Sequence, residues 1–128
     1  MTDILVIDDD YAYGELTVQR LESRGYSAEF YLGPFGALNA IRQIAPVLLI
    51  LDVNMPGLTG AGIAELLRKT RGLAEMRVML HSSMSQDELD ELVADGVAHA
   101  ALHKTPLAEE FLALVDKLMR TRPLTRRP

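Results

Sequence analysis

Hydrophobic runs and amphipathic stretches alternate along the chain. Ile4-Leu5-Val6-Ile7 is an unbroken aliphatic run, the pattern of a strand buried on both faces. Asp8-Asp9-Asp10 follows, then a helical stretch with apolar Tyr11, Ala12, Leu16 and Leu21, closed by Gly25. Ala28 to Leu32 reads as a second strand. Phe35 to Ile44 reads as a second helix, with Leu38, Ile41 and Ile44 on one face and Pro46 as its stop. Val47-Leu48-Leu49-Ile50-Leu51, the most apolar run, predicts the central strand. Met55-Pro56-Gly57 forms a turn, and Ile63, Leu66 and Leu67 mark a third helix.

Val78-Met79-Leu80 predicts a fourth strand. Ser85 with Glu88 has the spacing of a capping box, and Leu89, Leu92 and Val93 carry the helix it opens to Gly96. Ala98 to Leu102 is a weak, alanine-rich fifth strand. Thr105-Pro106 suits the N-cap and first position of a last helix whose face is Leu107, Phe111, Leu114, Val115 and Leu118. Strands alternating with helices predict an α/β fold: a doubly wound, parallel five-stranded sheet with right-handed crossovers. At this length the flavodoxin-like strand order 2-1-3-4-5 is expected, and a site then belongs beyond the carboxyl ends of strands 1 and 3.

A chain of 128 residues, 48% hydrophobic and 24% charged, suits one domain with a real core. Residues 1–119 are read as that domain and 120–128 as a basic C-terminal tail or linker remnant. With no cysteine, disulfides and thiolate metal sites are excluded. The start is too short and acidic for a signal peptide and no run reaches transmembrane length, so a cytoplasmic protein that does not engage the membrane is expected. Of the 13 basic residues, four (Arg120, Arg122, Arg126, Arg127) lie in the tail, leaving nine against 18 acidic ones. A body that acidic repels nucleic acid, and the tail reads as solvated.

The predicted topology turns the polar residues into a site. Asp8-Asp9-Asp10 ends strand 1 and Asp52 ends strand 3, so at least three carboxylates converge on one crevice. Such a cluster is costly unless neutralised. A hard divalent cation, Mg²⁺ for carboxylates plus waters, is one remedy, and Lys104 at the end of strand 5 is another. Ser82, ending strand 4, adds a hydroxyl. These are parts that bind and neutralise a phosphoryl group. No G-x-x-x-x-G-K-[ST] loop is present, and the glycines of 57–62 lack dinucleotide spacing. Asp10 is expected to cap the first helix. His81, His99 and His103 read as ordinary surface or half-buried histidines, with His81 and His103 flanking the site. Met76, Met79, Met84 and Met119 read as core or edge filler.

Ile4 to Asp10, the segment Leu51-Asp52-Val53-Asn54-Met55-Pro56-Gly57 and Lys104 together resemble the signature segments of response-regulator receiver domains, over the chain up to about Met119. The resemblance implies Asp52 as phosphoacceptor for a histidine kinase or histidine phosphotransfer protein, with Mg²⁺. It implies metal ligation by Asp9, Asp52 and the Asn54 backbone carbonyl, with Asp8 acting behind them or through a water. Lys104 and Ser82, with Ser83 beside it, would bind the phosphoryl group and switch. Output would leave through a changed surface of helix 4, strand 5 and helix 5 to a downstream target or fused output domain, and a homodimer through helix 5 is left open. The chain would be a self-phosphorylating acceptor with slow autodephosphorylation at most, not an enzyme.

Two positions depart from the family pattern. Ala101 stands where an aromatic switch residue is usual, and Lys104 is followed by Thr105 rather than proline, so a trans Lys104–Thr105 bond is expected. These departures support an alternative: a degenerate receiver acting as a phosphorylation-independent interaction module. An aspartyl-phosphate phosphohydrolase would need an acid where Asn54 stands. A flavin binder is disfavoured by the acids at the phosphate position.

Overall fold

The computed structural model describes residues 2–70, 76–105 and 107–120, without the side chains at 60, 61, 63, 64 and 68. The elements are β1 (Ile4–Asp8), α1 (Tyr11–Ser23), β2 (Ala28–Leu32), α2 (Ala37–Ile44), β3 (Leu48–Leu51), α3 (Gly60–Lys69), β4 (Arg77–Ser82), α4 (Gln86–Ala94), β5 (Ala100–His103) and α5 (Ala108–Arg120). Pro106, the Ile63 side chain and the tail beyond Arg120 lie outside the described residues. The sheet is parallel with the order β2-β1-β3-β4-β5, as the sequence predicts.

Alternation along the strands divides the core between the two faces. Leu5, Ile7, Leu49, Leu51, Val78 and Leu80 pack with Ala37, Ala40 and Ile41 of α2 and Leu89 of α4. Ile4, Val6, Leu48, Ile50 and Met79 pack with Leu21 of α1 and with Phe111, Leu112, Val115 and Leu118 of α5. β1 and β3 are buried at every position, which is why they read as unbroken aliphatic runs. Met76 and Met84 pack on the first cluster and Met119 on the second.

The helical faces differ from the predicted ones where small residues meet large neighbours. In α1 the buried positions are Gly14, Thr17 and Leu21, whereas Tyr11 and Leu16 are exposed. The cause is Phe30 of β2, whose ring occupies the space a Cβ at position 14 would need. Helix α2 starts at Ala37 rather than Phe35, which is 89% exposed. Gly36 precedes it at φ +80, and the Tyr31 hydroxyl, which donates to the Phe35 carbonyl (2.5 Å), fills the room for a side chain there. Helix α5 starts at Ala108, so Leu107 lies before it and is exposed, while Leu112 is buried on its inner face.

Two helix starts follow expectation. The Asp10 carboxylate accepts the Tyr13 N–H (3.0 Å) at the start of α1. Ser85 Oγ accepts the Glu88 N–H (3.2 Å) and donates to the Glu88 carboxylate (2.9 Å), so serine and glutamate meet side chain to side chain at the start of α4. Tyr26 donates to Asp116 (2.6 Å), with Arg24 paired to the same carboxylate, tying the end of α1 to α5.

Candidate functional site

The ladder of the sheet runs past the ends of its strands and sets the direction of the site residues. Asp52 N–H donates to the Ile7 carbonyl (2.9 Å), and Lys104 N–H donates to the Ser82 carbonyl (2.7 Å). Asp8 therefore continues the alternation Ile4, Val6; Asp52 continues Leu48, Ile50; and Lys104 continues Ala100, Leu102. All three series face the α1 and α5 side. Identical parity at the ends of β1, β3 and β5 sends the three side chains to one face, and Lys104 reaches the two acids across the end of β4.

Lys104 Nζ donates to Asp8 Oδ2 at 2.7 Å and to Asp52 Oδ2 at 3.0 Å. Asp8 is 3% exposed and Asp52 4%, so the ammonium balances charge that water scarcely reaches. The second oxygen of each carboxylate is also held: Asp10 N–H donates to Asp8 Oδ1 (2.9 Å) and Asn54 N–H to Asp52 Oδ1 (2.8 Å). Burial pushes both acids up, with opposite outcomes. For Asp52 the Asn54 N–H, the Lys104 charge and hydrogen bond, and Ser82 outweigh burial and hold the carboxyl below its ordinary range. For Asp8 burial prevails over the Lys104 and Asp10 bonds, and the Asp52 charge adds to it. Burial alone would lower Lys104, but its bonds to the two carboxylates raise it.

Asp9 is exposed at the mouth. Oxygens of Asp8, Asp9 and Asp52 lie within 4.8 Å of one another. All the donors are hard carboxylate oxygens, two buried and one facing solvent, which suits a small divalent cation that keeps part of its water shell. Ser82 is fully buried; its Oγ accepts the Met84 N–H (3.2 Å). Ser83 is exposed and accepts from the Asn54 side-chain amide (2.9 Å), so the β3 and β4 loops are bridged at the rim.

At the departures, Lys104–Thr105 is trans, since among the described residues Gly33–Pro34 is the cis bond. Ala101 is half-buried. The Gln86 side chain spans the outer edge of β5 there, accepting the His103 N–H (2.8 Å) and donating to the Ala101 carbonyl (3.2 Å).

The expectation of an ordinary surface or half-buried histidine fails at position 81. His81 is 3% exposed, packed against Phe111 with ring centroids 4.8 Å apart and the rings tilted by 33°, and burial lowers its pKa to about 4. Its Nε2 lies 3.1 Å from the Tyr13 hydroxyl and its Nδ1 2.9 Å from the Leu102 carbonyl. The Tyr13 ring in turn lies 4.4 Å from Lys104 Nζ. Sequence reading passes over Tyr13 altogether. The available signals are the parity of His81 with buried Met79, and the place of Tyr13 one turn past the Asp10 cap.

Comparison with known proteins agrees with this architecture. Residues 4–116 match the family model for the response regulator receiver domain. The response regulator MprA of Mycobacterium avium is 37% identical over 123 residues, covering 94% of this chain and 52% of that protein. The chain thus spans about half the length of the curated relatives it matches. A response regulator receiver protein from Burkholderia phymatum is similar in structure, with TM-score 0.78 and 25% identity over 97% of this chain and all of that one. The response regulator TrrA of Thermotoga maritima, solved with Mg²⁺ and beryllofluoride, has TM-score 0.75 and 27% identity over 92% of this chain and 99% of that one.

Proposed function

Because the chain belongs to the response regulator receiver domain family of two-component signalling, we propose that it is a phosphorylation-controlled switch whose phosphoacceptor is Asp52. The observation that carries this reading is the pairing of a buried, readily ionised Asp52 with Lys104, beside two further carboxylates. An ionised carboxylate is the nucleophile that phosphoryl transfer needs, and a fixed ammonium beside it neutralises arriving charge.

In the proposed step an Asp52 oxygen bonds to the phosphorus of a phosphohistidine on a histidine kinase or phosphotransfer protein. The phosphorus–nitrogen bond breaks, its electron pair stays with the imidazole, and an aspartyl phosphate results. Asp9 and Asp52, with the Asn54 backbone carbonyl, would hold Mg²⁺, and Asp8 would act behind them or through a water. Bound there, the cation supplies charge neutralisation for the phosphoryl oxygens. Lys104 and Ser82 then donate to those oxygens, and Ser83, tied to Asn54, carries the β4 loop with it. The protein's contribution is positioning and charge, not acid–base chemistry.

The resulting loop shift is a two-state element, and the new charge biases it. The affected surface is α4, β5 and α5, which would meet a downstream protein, a fused output domain or a second copy. Residues 1–119 would be the receiver unit in the cytoplasm, with 120–128 as tail or linker. Among the described residues no helix is long and apolar enough to cross a membrane.

Mass spectrometry of the chain incubated with Mg²⁺ and acetyl phosphate tests the reading. One phosphoryl group is expected on the wild type and none on Asp52→Asn. Labelling that survives Asp52→Asn would move the acceptor elsewhere. A wild type that takes neither phosphoryl nor beryllofluoride would instead be a phosphorylation-independent interaction module.

A further inference from the structure

Lys104 carries a flexible four-carbon stem, and two carboxylates pull on its ammonium from one side. What stands on another side is the Tyr13 ring, 4.4 Å from Nζ. That ring is itself held. The Leu102 carbonyl can only accept, so His81 Nδ1 carries the proton and donates to it at 2.9 Å. His81 Nε2 then presents a lone pair, and the Tyr13 hydroxyl donates to it at 3.1 Å. Burial of the imidazole against Phe111 keeps it in this neutral form. The chain of contacts starts at Lys104, just past β5, and returns to Leu102 of that strand, two residues earlier, by way of α1 and β4.

We propose that Tyr13 is a positioning residue for Lys104, its ring holding the ammonium at the mouth of the Asp8–Asp52 pair while His81 fixes the ring through the phenol. The proposal rests on the reading of Asp52 as phosphoacceptor. A ring face attracts a cation, and a phenol donating to imidazole makes the ring richer in electrons. The brace limits where the ammonium can go when a phosphoryl group arrives, so it acts on transfer rather than on the metal. It also gives this receiver an aromatic element in contact with the active lysine although position 101 is alanine.

Labelling of the wild type by acetyl phosphate at saturating Mg²⁺ tests the premise; failure there removes the phosphoacceptor reading itself. Given that labelling, Tyr13→Leu is expected to slow it about fivefold, the scale of one partly buried cation–ring contact. Tyr13→Phe, which keeps the ring, should stay within about twofold. Calorimetric titration should give the same Mg²⁺ affinity in all three. On a Lys104→Ala background, Tyr13→Leu should change nothing further, because the contact it removes is already gone. An unchanged rate in Tyr13→Leu, the same loss without Lys104, or a matching fall in Mg²⁺ affinity each overturns the proposal. Should Tyr13→Leu fail to fold, the wild type still decides: the Lys104 ε-methylene protons must resonate upfield of an ordinary lysine through the ring current, and normal shifts would end it.

Discussion

Asp8 and Asp52 share one ammonium from adjacent strands, yet their proton affinities move apart, Asp8 upward and Asp52 downward. Burial is the first influence on both; the difference is how far the Asn54 N–H and Lys104 offset it at Asp52. A raised carboxyl pKa means that its charge opposes folding at neutral pH, and a lowered one that its charge supports folding. In metal-free protein at pH 7, Asp8→Asn is therefore expected to raise stability and Asp52→Asn to lower it. Urea unfolding of the two variants beside wild type measures this. Shifts of the same sign would show that the acids act as one undifferentiated pair.

Removing the shared cation is a larger perturbation. Lys104→Met leaves two buried carboxylates without their cation, held by the Asp10 and Asn54 N–H groups and, at Asp52, by the Ser82 hydroxyl. Loss of one partner from a buried ion pair costs about 3 to 5 kcal/mol. A fall of that size in unfolding free energy is expected without metal. Millimolar Mg²⁺ should restore part of it, because the cation takes over the neutralisation, and thermal melts with and without Mg²⁺ read the difference. Equal melting of Lys104→Met and wild type would mean the ammonium does not balance the pair.

His81 gives the chain a pH signature. Its folded pKa of about 4 lies below the ordinary 6.5, so between those values the unfolded chain binds a proton that the native protein does not. Unfolding is thus favoured as pH falls from 6.5 toward 4, and the contribution is constant above that window. The full effect amounts to about 3 kcal/mol for a shift of this size. His81→Leu is expected to lose that part of the acid slope while retaining the part due to the carboxylates. Unfolding free energies of both proteins at several pH values between 4 and 7 check it, and parallel curves would contradict the burial of a neutral imidazole.

The strands and the meeting of Asp8, Asp52 and Lys104 at their ends were legible in the sequence from the hydrophobic runs, and the strand order from the alternation of strands with helices at this chain length. Aliphatic runs mark strands buried twice over, and parity along them aims the acids and the lysine at one face. The helical faces were less legible. Buried Gly14 and Thr17 carry little hydrophobic signal, and exposed Tyr11 and Leu16 carry a misleading one; only the position of Phe30 on the neighbouring strand decides between them. The Tyr13–His81 contact was hidden for a related reason. It joins residues 68 apart, and neither spacing nor composition marks a partner at that distance.

Gly14 tests that account of α1. Within a helix, replacing glycine by alanine ordinarily gains about 1 kcal/mol of propensity. Here a Cβ would come within 2.1 Å of Phe30 Cε1, with two more ring atoms inside 2.6 Å, so helix or ring has to move. Phe30 also meets Tyr11 edge to face, with centroids 5.9 Å apart, so its displacement disturbs a second contact. Overpacking of this kind costs about 1 to 3 kcal/mol, more than the propensity gain. Gly14→Ala is accordingly expected to lower the urea midpoint, and the same substitution in a Phe30→Leu background to raise it, because the smaller side chain leaves the methyl its room. Opposite signs in the two backgrounds would place Phe30 against the helix at this position. A gain in both would show that α1 turns another face to the sheet.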